Sequence, residues 1–484
     1  MSTTRRPRVV LDLPLRLERG GSQSSRVRAA LRAAILAGRI PAGARLPSSR
    51  DLAGQLGLRR NAVVVAYEQL LSDGLVETRI GAGTFVTPHL PQAPARAEAA
   101  VALSPAAGPA PFALGRTNAD PALLRRLAAA LRRRLYRPDP SQFGYGEPRG
   151  PEDLRRAVAI HLAATRGMAC EPGQIVITSG TQHGLSLCAA ALLRQGDPVW
   201  FEEPGYPAAR RLFAAAGARI AAVPVDGSGL MVREGRGRAP DARLAYVTPS
   251  HQFPTGAVMS MARRAALLEW AREADAWVLE DDYDSEFRFA GPPLTALAGI
   301  DAHARVVYLG TFSKSLFPGL RLGFLVVPPP LVDGILAARA VADRFPPGLA
   351  ACAVADLIAD GTFAAHVRRM RARYRSARDV VTDAVVRSSG GLLQVVVPDQ
   401  GLHLVAALPP DVSSETARRI RAAADIQCWL LSECRQSSEG PDGFVLGFSG
   451  YDLPALRQAA ERLGIAVRSL LRPGARDQDR SVNA

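Results

Sequence analysis

From about residue 112 onward, short apolar runs bounded by glycine and proline alternate with longer helical patterns. Residues 174–178, 198–201, 244–247, 277–279 and 306–309 are such runs. Strands that are apolar on both faces belong inside a sheet covered on both sides, and the intervening helical stretches supply the covers. The alternation predicts an α/β fold with a mostly parallel central sheet within residues 112–472. Residues just past the carboxyl ends of these strands then lie where an open α/β sheet collects its ligands.

The chain ahead of that region has another character. Residues 15–87 read as a compact, mostly helical module, and 88–111 are rich in alanine and proline, the composition of a semi-rigid linker. Residues 473–484 read as a disordered tail. The net charge of +15 is uneven: residues 1–90 hold 14 Arg against 6 Asp and Glu, which is +8 in a short module. Such a module fits a polyanion, most simply nucleic acid. No apolar stretch is long enough to span a bilayer, and the basic N-terminus lacks the apolar core of a signal peptide. The five cysteines follow neither metal-ligand nor disulfide spacing. A cytoplasmic protein with no membrane partner is expected.

Within the module, Val27, Leu31 and Ile35 recur at four-residue spacing and predict a first helix ending near Gly38. Ser48 or Ser49 caps a short second helix, and Gly57 permits the tight turn behind it. A third helix over 60–72 turns Val63, Ala66, Tyr67 and Leu70 inward. Two strand-like segments, 74–78 and 83–86, flank the tip Gly81, Ala82 and Gly83. This is a helix-turn-helix with a β-wing, whose third helix enters the major groove with its first turn nearest the bases. Arg60 and Asn61 occupy that turn, and both residue types read base edges bidentately. Arg50 is placed for a phosphate contact, and Arg79 for a phosphate or the minor groove. A three-helix bundle with solvated arginines is the plainer alternative, and the wing counts against it.

Lys314 is the only lysine, although Lys and Arg together number 60. Its amine, unlike a guanidinium, can lose a proton and form a Schiff base with an aldehyde. A leftover surface lysine is the alternative, and three other strand ends weigh against it by supplying what pyridoxal phosphate requires. Ser179, Gly180, Thr181 and Gln182, ahead of a helix beginning near His183, offer backbone N–H groups to a phosphate. Thr311 and Arg321 add a hydroxyl and a guanidinium to the same anion, with Ser313 beside the lysine. Asp281, in the acidic run 280–288, keeps the ring nitrogen protonated, and the Tyr283 hydroxyl faces the phenolic oxygen. The same carboxylates also read as a Mg²⁺ site, and a lysine one strand away decides for no metal. Tyr206, on a Pro-Gly turn, stacks on the ring or packs as an ordinary loop aromatic. Gln252 is a polar contact to the ring, while His251 is equally a structural loop histidine.

Leu46 to Arg50, Leu56, Gly57, Arg60, Asn61, Ala66, Tyr67, Leu70, Gly74, Leu75 and Gly83 to Val86 resemble the GntR family of winged-helix regulators. That resemblance implies a DNA-binding set of Arg50, Arg59, Arg60, Asn61, Tyr67, Arg79 and Gly83. Arg59 and Ala62 depart from it, since a small hydroxyl residue is more usual at both. The stretches around His251, Glu280 and Lys314 resemble the fold-type I aminotransferases. Together with the GntR-like head, residues 15–470 resemble the MocR/GabR family of fused regulators. The resemblance implies a multidomain protein: a winged helix-turn-helix, then a pyridoxal-phosphate-dependent transferase fold with a smaller C-terminal α+β subdomain over about 346–472. It further implies double-stranded operator DNA as partner and a head-to-tail homodimer, in which Tyr145 reaches the neighbouring subunit's phosphate.

One departure bears on function. Aminotransferases and the GABA-sensing members hold a substrate carboxylate with an arginine late in the chain. Gly450 stands at that place in this sequence, after the apolar stretch 444–449. Either Arg435 or Arg457 fills the role, or the clamp is missing, which removes a few kcal/mol of binding for an amino acid. Two functions remain open: a transcription regulator whose large domain senses a ligand, and a working aminotransferase with a DNA-binding appendage. The head and Gly450 favour the regulator, with transaminase activity vestigial. Its effector is pyridoxal phosphate itself, as in the PdxR subgroup that controls vitamin B6 synthesis, or an amine or amino acid.

Overall fold

The computed structural model describes residues 15, 17, 20–88, 110–118, 120–136, 144–437 and 440–471. Residues 89–109 of the linker expected over 88–111, and the tail over 473–484, lie outside the described residues. The chain divides into two compact units, Met1–Ala106 and Ala107–Ala484.

The first unit holds helices α1 (Gln23–Leu36), α2 (Ser49–Leu56) and α3 (Arg60–Ser72), followed by strands β1 (Val76–Arg79) and β2 (Gly83–Val86). Ser22 caps α1 by accepting from the Ser25 amide, and Ser48 caps α2 by accepting from the Asp51 amide. Val27, Leu31 and Ile35 bury one stripe of α1 against Val63, Ala66 and Leu70 of α3. The two strands pair antiparallel from Val76↔Val86 to Arg79↔Gly83, so the wing closes beside the helices.

The second unit is built on an eight-stranded sheet: β3 (Ile175–Thr178), β4 (Pro198–Glu203), β5 (Arg219–Asp226), β6 (Gly229–Leu230), β7 (Leu244–Val247), β8 (Trp277–Asp282), β9 (Val306–Thr311) and β10 (Gly323–Val326). Their order is β3-β10-β9-β8-β7-β4-β5-β6. Strands β9, β8, β7, β4 and β5 run parallel to one another, whereas β10 is antiparallel to both β3 and β9, and β6 to β5. The sheet is therefore mixed, and β10 was not foreseen. Its direction follows from chain length, because the stretch 312–322 is too short for the crossover that parallel pairing needs. That short return path is where Lys314 sits. Buried apolar clusters cover the sheet on both faces, one around Val199, Phe213 and Leu309 and another around Trp200, Leu267 and Trp270.

A smaller antiparallel sheet follows, from β11 (Gln394–Val396), β12 (His403–Ala407), β13 (Trp429–Leu430) and β14 (Gly443–Gly447), in the order β11-β12-β14-β13. Helices Thr362–Ser389, Ser414–Ala423 and Leu453–Leu471 pack on it through Tyr374, Val381, Ile420, Leu456 and Leu463. Phe112 is buried in the same cluster, which ties the start of this unit to its end.

Candidate functional site

The parallel strands β4, β7, β8 and β9 end side by side, and the segments leaving them converge on a cavity of about 280 Å³. Thr181 and Gln182 enter it at the start of the helix Thr181–Leu192, which begins two residues before the predicted His183. Tyr206 follows β4, Tyr246 and Thr248 come from β7 and its end, Asp281 and Tyr283 from β8, and Thr311, Ser313, Lys314 and Arg321 from the reversal after β9. The structure thus brings together most of the residues singled out in the sequence.

Asp281 is buried, and its Oδ2 accepts the Tyr246 hydroxyl at 2.6 Å. Burial pushes this carboxyl up to about 7 despite that bond. Its Oδ1 is buried yet finds no donor among the described residues. Buried acceptors are normally satisfied, so this atom awaits a donor from outside the chain, and a protonated ring nitrogen is such a donor. The neighbouring acids are already spent. Glu280 accepts the Leu297 and Ala298 amides at 2.8 Å, and Asp282 pairs with Arg166 at 2.8 Å and accepts the Tyr308 hydroxyl. Asp284 bonds His251 Nδ1 at 3.0 Å. Of the run that also read as a metal site, Asp281 is the carboxylate that lines the cavity.

Burial holds the Lys314 amine below its ordinary value, against the pull of Asp284 and Asp281. A lysine so tuned is the one that attaches to an aldehyde. Gly115 makes room for it, since a Cβ there would stand 2.8 Å from Lys314 Nζ. The Tyr283 hydroxyl donates to the His251 carbonyl at 3.0 Å, and the His251 ring beneath it is fixed by Asp284. On the anion side, Gly180 caps the Thr181–Leu192 helix, and the Arg321 guanidinium comes within 3.8 Å of where a Gly180 Cβ would lie. The Thr311 hydroxyl accepts from the Ser313 amide at 3.1 Å. These residues fit pyridoxal phosphate: Lys314 for the aldehyde, Asp281 for the ring nitrogen, Tyr206 for the ring face, and Thr181, Gln182, Thr311, Ser313 and Arg321 for the phosphate.

Two expectations change. Gln252 does not reach the cavity: its amide nitrogen donates to Glu202, Pro204 and Phe253, and its oxygen accepts from Thr255. A buried amide so fully used serves the loop that carries it. The Ser179 amide donates to His183 Nδ1 at 3.1 Å and is not free for an anion. Tyr145, expected to reach a neighbouring subunit and not its own cavity, is 81% exposed and packed edge-on against Phe345 at 5.8 Å. Sequence reasoning also missed Leu114, Tyr246, Phe253, Leu402, His403 and Trp429, all of which line the cavity. The last three come from the small antiparallel unit, and they carry no local motif by which to find them.

In the head, Arg50, Arg59, Arg60 and Asn61 are exposed, at the start of α2 and across the first turn of α3. Arg60 Nε donates to Ser49 Oγ at 3.3 Å, linking the two helices. Arg79 pairs with Glu77 at 2.6 Å and lies over the Phe85 ring, and Gly83 opens β2 at the wing tip. The Tyr67 hydroxyl donates to the Pro47 carbonyl at 2.8 Å, so its polar end is committed within the head.

Residues 116–440 match the family model for aminotransferase class I and II, and residues 23–86 that for bacterial regulatory proteins of the gntR family. A probable rhizopine catabolism regulatory protein, MocR of Rhizobium meliloti, is 36% identical over 472 residues, covering 94% of this chain and 95% of its own. The pyridoxine biosynthesis transcriptional regulator PdxR of Corynebacterium glutamicum is 32% identical over 466 residues, covering 95% and 99%. Among solved structures, Pyrococcus horikoshii kynurenine aminotransferase superposes with a TM-score of 0.70 at 25% identity, over 76% of this chain and 92% of that one. A gntR-type DNA-binding head joined to a fold-type I aminotransferase domain defines the class, and that fold implies pyridoxal phosphate binding. The chain belongs to the MocR family of DNA-binding transcriptional regulators. Among the described residues, no single helix is long and apolar enough to cross a membrane.

Proposed function

We propose that this chain binds pyridoxal phosphate in the cavity around Lys314 and uses the loaded domain as a sensor that sets the operator affinity of its head. The cofactor, when bound, supplies an aldehyde that captures amines and a ring that withdraws electrons. The residues around it hold and orient: Asp281 offers an acceptor to the ring nitrogen, Tyr206 a face, and Arg321 a charge. The observation that carries regulation over transamination is Gly450. Its position is closed over by residues 116 and 117 and is not part of the cavity lining, which supports the reading that no carboxylate clamp is supplied from there. Neither alternative arginine replaces it: Arg435 donates to the Pro441 carbonyl, and Arg457 is exposed on the last helix.

The likeness to PdxR favours a second reading of the signal, in which pyridoxal phosphate itself is sensed. In either case a ligand acts by binding one arrangement of the heads better than another. We place two chains head to tail, with the exposed Tyr145 extending to the partner's phosphate and two heads on paired half-sites of duplex DNA in the cytoplasm. The test titrates purified protein and its operator with pyridoxal phosphate, following visible absorbance and DNA affinity together. Coupled changes are expected. Rapid turnover of an amino donor and acceptor, with DNA affinity unmoved, would return the protein to the enzymes.

A further inference from the structure

We infer that the ligand taken up beside the cofactor is an apolar primary amine that carries no carboxylate. The inference rests on the sensor reading above and narrows its effector class.

The first observation is how Gly450 is sealed. With φ at +80°, it adopts a backbone conformation that side-chain-bearing residues rarely take. A Cβ there would stand 2.7 Å from Arg116 Cβ and 2.9 Å from the Thr117 amide nitrogen. The segment above is fastened: the Gly450 amide donates to Asn118 Oδ1 at 3.2 Å, and the Ser449 hydroxyl to the Arg116 carbonyl at 2.6 Å. No side chain projects from this position, and Gly450 is not part of the cavity lining, so no arginine reaches the cavity from here.

The second is the charge of the lining. Besides Lys314, Arg321 is the only lysine or arginine among the described lining residues, and it lies on the Gly180 side. Arg116 is stacked over the Tyr451 ring at 5.2 Å instead. His403 lines the cavity, but burial drives its imidazole down to about 3, and Nε2 lies 3.0 Å from the Pro254 carbonyl. It supplies no positive charge at neutral pH. Against these stand three acids. Asp281 lines the cavity, Glu202 lies behind Thr248 at 2.6 Å, and Asp284 holds the His251 ring, whose centroid lies 4.8 Å from that of the tilted His403 ring. A second anion here would be buried without a partner, which costs several kcal/mol. An amine without a carboxylate brings no such anion.

The third is the remaining wall. Leu114, Phe253, Leu402 and Trp429 present apolar surface, with Phe253 and Trp429 edge to face at 5.8 Å. Such a surface favours a hydrocarbon tail. The cavity of about 280 Å³ must also hold the cofactor, so that tail is short.

Isoamylamine and leucine differ by one carboxylate and test this directly. Full-length protein is first loaded with pyridoxal phosphate, then titrated calorimetrically with each compound, and operator affinity is measured at saturation. Isoamylamine is expected to bind at least about tenfold more tightly than leucine, and to shift operator affinity where leucine does not. Trp429→Ala, or Leu114→Ala should the first misfold, is expected to weaken isoamylamine binding about tenfold. Leucine binding as tightly as isoamylamine, or neither binding to the loaded protein, overturns the inference while leaving the cofactor reading intact. A chain that takes up no cofactor overturns both, and the loading step shows which has failed.

Discussion

The head and the cavity use charge in opposite settings. In the head, Arg50, Arg59, Arg60 and Asn61 stand in solvent at the face that a duplex would meet. Around the cavity, Glu202, Asp281, Asp282 and Asp284 are buried, and each oxygen's partner can be named or found missing. Exposed arginines gain from a phosphate backbone through counterion release, which needs proximity more than fixed geometry. Buried carboxylates must be satisfied one atom at a time. The same kind of structure therefore says far more about what fills the cavity than about which bases the head reads.

The sharpest test of the cavity half is Lys314→Ala, which should abolish the visible absorbance of cofactor-treated protein while circular dichroism stays that of the folded chain. Lys314→Arg should do the same, because guanidinium keeps its proton. A variant retaining the band would place the attachment elsewhere. Next in size is Asp281→Asn, expected to weaken cofactor binding about 10- to 100-fold by dialysis equilibrium. It carries a pH signature too. The unfolded value near 3.8 rises to about 7 on folding, so the folded chain binds this proton more tightly. Without cofactor, stability should fall as pH rises through that interval, by on the order of 1–3 kcal/mol. Glu202, also raised to about 7 by burial, contributes with the same sign. Asp281→Asn should flatten the decline in part, as denaturant midpoints at pH 5 and pH 8 will show. An unchanged slope would mean that Asp281 is already ionised in the empty cavity.

On the head side, Arg60→Ala or Asn61→Ala should cost about 1–3 kcal/mol on a selected operator and less on random duplex. Equal losses on both would reduce the pair to backbone contacts and erase the distinction between reader and anchor. Smallest is Arg50→Ala, which should weaken both DNAs alike and lower the salt slope by about one, measured by fluorescence anisotropy across a salt series. A base-selective loss at Arg50 would mean that α2 also reads sequence.

Much of the head was legible because its signals are local. Ser48 before a short amphipathic stretch, Gly57 behind it and the Gly81 to Gly83 tip mark their elements within a few residues. The cavity was legible where a motif follows a strand, as at Asp281, Tyr206 and Lys314. It was illegible at Leu402, His403 and Trp429, which reach it only because a second sheet docks beside the first. Gln252 was misread for a related reason. A polar residue in a ligand-side loop looks the same in sequence whether its amide faces the ligand or, as in this fold, the carbonyls of Pro204 and Phe253.

The sequence by itself determined the order of the parts, the chemistry available and the lone amine at 314, since these depend on residue type and spacing along the chain. Only the tertiary structure decided which carboxylate is left with an open oxygen, that the return strand at 323–326 runs against its neighbours, and that residues 116–118 close over Gly450. Those outcomes depend on which distant segments share a surface, and burial is a property of the surrounding packing that no short stretch of residues contains.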